Sequence, residues 1–478
     1  MNNKPASGHK INVFTLVMIT AAFTVSVRNI PILAETGLQM IFLCLVAVLA
    51  FLMPTALVSA ELATGWPQRG GVYVWVKQAF GDRIGFLAIW MQWVQMVFGM
   101  IMILSFVAGS LSFAINPALA DNKFFVLAII ILVYWALTLL NMRGMKTSGI
   151  ISTVCLIGGV FIPGAAIIIF GLMYLFGGNP IQMDLALTAS NLIPDFSKIG
   201  NVALLAGVFF IYAGIEASAS HAAEVDNPQK NYPIAIFFAG LLLIVINILG
   251  GFAVGAVVPH AQISLTAGIM EAFKVFFAKF NVSWLVPIMA LLAGLGAIGQ
   301  VSTWVVGPVK GLLATAENGD LPPIMQKVNK NGIPTTMLII QASLISFFGL
   351  MFILIPNINT VFLMMLNMTI LLYLIMYILM LAAGIRLRYT QPNVKRAYKI
   401  PGGNIGMWLI AGFGILTSIF AMFVGFFPPS QLHIADVSFY VLFLLIGTIV
   451  FAAVPLLIYQ FRQPSWKVGE PATERRGS

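Results

Sequence analysis

Tyr212-Ala213-Gly214-Ile215-Glu216 lies in the middle of an apolar run, residues 201–223, and interrupts it. Gly214 allows the backbone to leave helical geometry. The backbone N–H and C=O groups freed at such a break need polar partners, because a membrane interior supplies none. Glu216 adds a charge at a depth where charges are expensive and often mark a functional site. The stretch therefore predicts an interrupted membrane helix. Its alternative is a structural kink in which Glu216 is hydrogen-bonded to a neighbour.

A second apolar run, residues 11–33, is interrupted by Arg28, Asn29 and Pro31. Pro31 lacks a backbone donor and disturbs the turn that precedes it. Thr24 and Ser26 could satisfy the freed backbone groups or contact a ligand. Two hydrophobic segments interrupted at corresponding positions of two halves are the sequence pattern typical of a secondary transporter's substrate site.

Arg28 has three open roles, since a cation inside a membrane span is rare and usually functional or paired. It could bind an acidic group of a substrate. It could form an ion pair with Glu216 or Glu35. It could also extend from the helix end to the membrane surface. The residues leave these roles open.

The composition is that of a membrane protein: of 478 residues, 60% are hydrophobic and only 8% are charged. A bilayer-spanning helix needs roughly 20 apolar residues, and continuous apolar runs argue against a β-barrel, whose strands alternate. We therefore predict an all-α integral membrane protein with twelve transmembrane helices. The predicted spans are 11–33, 38–60, 84–115, 124–142, 150–177, 201–223, 233–259, 283–309, 334–355, 360–385, 405–427 and 437–461.

The formal net charge of +10 reflects membrane orientation rather than nucleic acid binding. Most of the 25 Lys and Arg residues fall in alternate loops, together with the two ends of the chain. Loops rich in Lys and Arg remain on the cytoplasmic side. We therefore predict both termini in the cytoplasm. The first run is longer than the apolar part of a signal peptide, so it is predicted to stay as a helix. The expected location is the bacterial inner (plasma) membrane.

The two interruptions also predict the organisation of the chain. If the first and sixth helices correspond, each half has five helices, and two halves with an odd number of helices must insert with opposite topology. The result is an inverted five-helix repeat followed by two further helices. The predicted parts are a tail at 1–10, a single transmembrane domain at 11–461 with repeats at about 11–177 and 201–388 and last helices at about 405–461, and a tail at 462–478.

Two segments outside the spans have helical character. Segment 263–280 places Ile269, Phe273 and Phe276 at helical spacing, which predicts a helix lying on the membrane surface. Loop 64–82 contains a short amphipathic stretch.

Two further helices carry candidate site residues. The eighth span contains Gln300, Ser302 and Trp304 among small residues, which indicates a lined cavity or, equally well, a helix-packing surface. The tenth contains Tyr373 and Tyr377, four residues apart and hence on one face. They could face a cavity or each need a single hydrogen-bond partner.

The sequence contains no phosphate-binding loop, no cluster with metal-ligand spacing and no hydrolytic triad pattern. We therefore expect neither a cofactor nor a metal, and no enzyme activity. The expected chemistry is binding and release of a small molecule.

Several motifs carry a resemblance to a known family. They are Ile215-Glu216-Ala217-Ser218-Ala219, Asn227-Pro228-Gln229-Lys230-Asn231-Tyr232-Pro233, Trp304-Val305-Val306-Gly307-Pro308, Leu321-Pro322-Pro323, Asn329-Lys330-Asn331-Gly332-Ile333-Pro334, Ala60-Glu61-Leu62-Ala63 and Ile400-Pro401-Gly402-Gly403. With these motifs, nearly the whole chain resembles the amino acid–polyamine–organocation superfamily. The resemblance is strongest to its bacterial glutamate/γ-aminobutyrate antiporters.

The resemblance implies amino acid exchange by alternating access, with the broken stretches holding the α-carboxylate and α-ammonium groups. It also implies that Trp304 closes over the substrate and that Tyr373 and Tyr377 belong to the site. The substrate-binding residues predicted from the sequence and the resemblance together are Thr24, Val25, Ser26, Arg28, Tyr212, Ala213, Gly214, Glu216, Gln300, Trp304, Tyr373 and Tyr377.

The chain departs from the family pattern at three positions. Arg28 stands where the glutamate exchangers have a tyrosine, and Asn29 and Gln300 stand where they have glutamates. Two acidic groups are lost and one cation is gained, so a cationic substrate would be repelled. We therefore expect altered selectivity for the substrate side chain, which should be acidic or neutral polar.

The predicted function is a secondary active amino acid transporter, an antiporter of the glutamate/γ-aminobutyrate exchanger type, with the amino acid and the lipid bilayer as partners. Protons are a candidate coupling ion. The main alternative is proton-coupled uptake of neutral polar amino acids. A passive channel would need a continuous polar lining, whereas the spans contain one polar cluster. A membrane enzyme or sensor is disfavoured, because no paired catalytic groups stand out.

Overall fold

The computed structural model describes residues 11–68, 70–143, 155, 157–219, 225–430 and 434–467. This part of the chain is almost entirely helical, and its only β-structure is two isolated bridges. The predicted tail at 1–10, the end of the second tail and the histidines at 9, 221 and 433 lie outside the described residues.

The main helices and half-helices of the described residues follow one another with short connections. They are α1 Val13–Thr24, α2 Ile30–Ala34, α3 Gln39–Gly65, α4 Val72–Phe80, α5 Asp82–Ile115, α6 Lys123–Asn141, α7 Ile157–Phe176, α8 Leu204–Ile211, α9 Ile215–Ala219, α10 Pro228–Val257, α11 Gly268–Lys279, α12 Leu285–Glu317, α13 Thr335–Leu354, α14 Ile358–Thr390, α15 Gly403–Gly425 and α16 Val437–Gln460.

Eleven spans of the described residues are long and apolar enough to cross a membrane, counting the interrupted segment Ile199–Ala217 as one. The twelfth predicted span, 11–33, is split into α1 and α2, and neither half has the length of a full crossing. Extended backbone at Val25 and Ser26 separates the halves. The interruptions of both predicted helices are therefore confirmed, while the count of twelve and the inverted repeat stay predictions.

The bundle has a buried centre and an exposed side. In the most apolar part of α5 and of α14, 78% of the residues are buried inside the protein, against 17% in α16. α5 packs mainly against α12 and α14, and α14 also packs against α15. Large side chains on α15 and α16, such as Leu416 and Ile449, are exposed, as expected for helices that face lipid. The centre is therefore built from α5, α12, α14 and the two interrupted helices.

Segment 263–280 does contain a helix, α11, whose apolar face is covered by protein, while its position on the membrane surface stays a prediction. Ile269, Phe273 and Phe276 are completely buried. They face the protein, because α11 packs against α7, α10 and α12. The predicted amphipathic stretch in loop 64–82 is α4, whose apolar face contacts α5 and α14.

Candidate functional site

The first break exposes backbone in an extended conformation. α1 ends at Thr24, and Val25 and Ser26 have ψ angles of 127° and 137° before the short helical turn Val27–Asn29. The Val25 N–H donates to the carbonyl of Ala21 at 2.8 Å, and the Ser26 Oγ accepts from the Arg28 N–H at 3.4 Å. The Ser26 N–H has no partner among the described residues. This break therefore offers a backbone donor.

The second break is closed by a side chain. α8 ends at Ile211, and Gly214 has a φ of +100°, a value that favours glycine. The Gly214 N–H donates to the Oη of Tyr377 at 2.7 Å. In this conformation the polar partner predicted for the freed N–H is thus a tyrosine of α14.

The Glu216 carboxylate accepts three hydrogen bonds from side chains of two other helices. It is 2% exposed. Its Oε1 accepts from the Gln92 Nε2 at 3.1 Å and from the Tyr373 hydroxyl, and its Oε2 accepts from the Tyr377 hydroxyl at 2.5 Å. The carboxylate therefore joins α9 to α5 and α14. This geometry is the one expected from the alternative interpretation of the sequence, a structural kink in which Glu216 is hydrogen-bonded to a neighbour.

Arg28 has few partners for a buried cation. It is 4% exposed, its Nη1 donates to the Oε1 of Gln300, and its guanidinium carbon lies 5.8 Å from the ring centroid of Phe210. Its Nε has no hydrogen-bond partner.

Two of the roles left open for Arg28 are not observed. No carboxylate of a described residue lies within 4 Å of its nitrogens, so the ion pairs with Glu216 and Glu35 are not formed. Glu35 instead lies 3.2 Å from the Nε2 of His260. Because the guanidinium is buried, Arg28 does not extend to the membrane surface either.

A narrow cavity of about 30 Å³ lies between the two breaks. In this conformation it has room for water but not for an amino acid, because ligand pockets usually measure about 300–1,000 Å³. An amino acid would therefore need a more open conformation of the site. Six predicted site residues line it: Thr24, Arg28, Ala213, Gln300, Trp304 and Tyr373. The other lining residues are Asn29, Gln95, Met96, Gly99, Ile103, Phe210 and Ile211.

The remaining predicted site residues do not line this cavity. They are Val25, Ser26, Tyr212, Gly214, Glu216 and Tyr377. The reason is local: Tyr377 and Glu216 are bonded to each other, and Tyr212 is completely buried. Direct contact with a ligand in the cavity would need their backbone groups or another conformation of the protein.

Two glutamines of α5 belong to the site and were not predicted. Gln95 lines the cavity, and Gln92 bonds Glu216 and offers its carbonyl to the Gln95 Nε2 at 3.2 Å. The signal was present, because two amides three residues apart are unusual in an apolar run such as 84–115. Asn29 also lines the cavity, and its Oδ1 is buried without a hydrogen-bond partner.

Long apolar helices, two of them interrupted beside an enclosed polar cavity, define a membrane transporter. A family model described as amino acid permease matches residues 11–451. The chain belongs to this amino acid permease family, within the amino acid–polyamine–organocation superfamily, and the family is one of transporters. It is therefore a multi-span membrane protein, and the class of its substrate is amino acids.

Curated relatives cover most of the chain. It is 42% identical over 447 residues to an uncharacterized transporter of Legionella pneumophila, covering 94% of this chain and 96% of the relative. It is 35% identical over 459 residues to a glutamate/gamma-aminobutyrate antiporter of Lactococcus lactis, covering 94% and 90%. It is 24% identical over 406 residues to a probable agmatine/putrescine antiporter of Lactococcus lactis, covering 83% of each chain.

Proposed function

We propose that the chain is a secondary active amino acid transporter that works by alternating access, as an antiporter of the glutamate/γ-aminobutyrate exchanger type with altered side-chain selectivity. The observation that carries the proposal is the cavity itself. It is lined by both interrupted helices, through Arg28 of the first and Ala213 of the second. The relatives named as glutamate/gamma-aminobutyrate antiporters support the exchange mode.

We assign each group of the substrate to a part of the site according to the chemistry of the residues there. The first break binds the substrate carboxylate, with the free N–H of Ser26 as one donor. The second break binds the ammonium group through backbone carbonyls near Ala213. Gln300 and Tyr373 contact the side chain, and Trp304 covers the substrate.

Glu216 acts from behind the cavity wall. It holds Tyr373, which lines the cavity, and Tyr377, which holds the second break at Gly214. A change at Glu216 would thus reach both the side-chain pocket and the broken helix. Protons are the candidate coupling ion, with Glu216 as the candidate carrier.

The membrane orientation is part of the proposal. Most Lys and Arg residues lie in alternate loops with the chain ends, which supports cytoplasmic termini in a bacterial inner membrane.

Uptake of radiolabelled glutamate into proteoliposomes tests the proposal. The vesicles are empty or preloaded with glutamate, glutamine or γ-aminobutyrate. We expect uptake only into preloaded vesicles. Uptake of neutral polar amino acids into empty vesicles under a proton gradient would instead favour proton-coupled import. Downhill flux with neither a preloaded amino acid nor a proton gradient would favour a passive pore.

Glu216→Ala provides the variant. We expect this variant to abolish exchange, because three buried donors lose their common acceptor. We expect the protein still to fold. Glu317→Ala is the matched control, since it removes an exposed carboxylate at the end of α12. Full exchange by Glu216→Ala would contradict the role proposed for this carboxylate.

A further inference from the structure

The walls of the cavity carry one fixed charge, and it is positive. Arg28 is a lining residue, and none of the lining residues is an aspartate or glutamate. The other lining residues have apolar, amide, hydroxyl or aromatic side chains, which carry no fixed charge. Arg28 therefore supplies the one fixed charge among the lining residues, while the Glu216 carboxylate lies behind the wall, hydrogen-bonded to Tyr373.

No carboxylate of the described residues forms an ion pair with this charge. Within the described residues, Arg28 has a neutral amide, Gln300, as its hydrogen-bond partner and the face of Phe210 as its aromatic neighbour. A buried charge without a counter-charge is strongly unfavourable. Because guanidinium offers five donors in a fork that fits a carboxylate, the ligand best suited to relieve the penalty carries one.

The donors that would make this contact are available. The Nε of Arg28 is buried and has no hydrogen-bond partner. The neighbouring Oδ1 of Asn29 is a buried acceptor without a partner in the same wall. An unsatisfied donor and an unsatisfied acceptor on consecutive residues of one wall fit a ligand with both a carboxylate and an N–H group.

We propose that the cavity selects amino acids of net charge −1 and that Arg28 is the residue that imposes this selection, by binding the side-chain carboxylate. Amino acids of net charge zero, γ-aminobutyrate among them, are disfavoured because they leave the guanidinium uncompensated. The proposal rests on the proposed function, that this cavity is the transport site. It separates this chain from its glutamate/gamma-aminobutyrate relatives: the exchange would be between two acidic amino acids.

Binding to the purified protein tests the selection without requiring transport. Competition against radiolabelled glutamate, with thermal stabilisation as a second readout, compares L-glutamate and L-aspartate with L-glutamine, L-asparagine and γ-aminobutyrate. We expect both acidic amino acids to bind at least about tenfold more tightly than their amides. Equal or tighter binding of glutamine or γ-aminobutyrate would overturn the inference while leaving an amino acid transporter in place. Binding of no amino acid would overturn both proposals.

Charge variants locate the selection at Arg28. Gln300→Glu places a carboxylate beside the guanidinium, and we expect it to reverse the preference, so that glutamine binds more tightly than glutamate. Arg28→Gln should abolish the preference, and Arg28→Lys should retain part of it. The matched control is Lys330→Gln, which removes an exposed cation that does not line the cavity. It should leave the preference unchanged.

The results of these variants decide whether Arg28 imposes the preference for glutamate. An unchanged glutamate preference in both Gln300→Glu and Arg28→Gln would overturn the assignment to Arg28. If Arg28→Gln fails to fold, Gln300→Glu and the ligand series on the unaltered protein still decide, because neither removes the arginine.

Discussion

Two arginines of this protein are buried to the same degree and are held in opposite ways. Arg28 and Arg388 are each 4% exposed. Arg388 donates to both carboxylate oxygens of Glu61, at 2.6 and 2.7 Å, and to the carbonyl of Ile400 at 3.0 Å. Within the described residues, the side chain of Arg28 has one hydrogen bond, to the neutral Gln300. The fold supplies a carboxylate for Arg388, whereas the counter-charge that we propose for Arg28 is the carboxylate of a substrate.

The Arg388 site is a closed structural cluster. Glu61 also accepts from the N–H of Ile400 at 2.8 Å and lies 3.6 Å from the Nε of Arg396. The Arg396 guanidinium in turn lies 5.1 Å from the ring of Trp66. The cluster ties α3 and α14 to the segment before α15, and Arg388 is not among the residues that line the cavity between the two breaks. Arg388 is therefore the structural reference against which Arg28 can be tested.

The largest effect is expected from Arg388→Gln. It leaves the Glu61 carboxylate buried without its bidentate partner, and breaking a buried pair in this way is destabilising by about 3–5 kcal/mol. The variant should unfold at a clearly lower temperature in detergent, as followed by intrinsic fluorescence.

The double variant Glu61→Gln/Arg388→Gln is the internal control. It leaves no charge of this pair unmatched, so it should recover part of the lost stability. A double variant as unstable as Arg388→Gln would mean that packing around the arginine, rather than its pairing with Glu61, holds this end of the bundle.

A smaller effect is expected at the tyrosines that hold the second break. The Tyr377 hydroxyl accepts from the Gly214 N–H and donates to Glu216, whereas the Tyr373 hydroxyl donates to Glu216 alone. Tyr377→Phe should therefore lower the free energy of unfolding by about 1–3 kcal/mol, because it leaves a buried N–H unpaired. Tyr373→Phe, the matched control, should lower it by less, because it breaks only the hydrogen bond to Glu216 and leaves the Gly214 N–H paired. Equal losses in denaturation curves would argue that the bond to Gly214 contributes nothing.

Both breaks could be predicted from the sequence because their causes are local. Gly214, Glu216, Arg28 and Pro31 interrupt apolar runs within a few residues of the backbone they change. The amphipathic helix α11 was predicted for the same reason. Its surroundings were not, because an apolar stripe does not say whether protein or lipid covers it.

The partners across the site could not be predicted, because they depend on which helices pack together. Gln92 and Gln95 reach the site only through the packing of α5 against α12 and α14. The contact between Glu61 and Ile400 joins two motifs that are 339 residues apart. Arg28 had three candidate roles from sequence, and the contact to Gln300 emerges from the fold.

The smallest effect on stability is expected from Arg28→Gln, and its sign is the sharpest test of the comparison. The variant loses one hydrogen bond to an amide, worth about 1 kcal/mol. It also removes an uncompensated buried charge, which acts in the opposite direction. The free energy of unfolding without ligand should therefore stay within about 1 kcal/mol of the unaltered protein or rise. The stabilisation that glutamate gives should disappear, because the ligand's counter-charge is gone. Thermal unfolding with and without glutamate, run beside Arg388→Gln, measures both quantities. A loss of stability as large as that of Arg388→Gln would make Arg28 a second structural arginine, and the two sites would then differ only in which groups satisfy them.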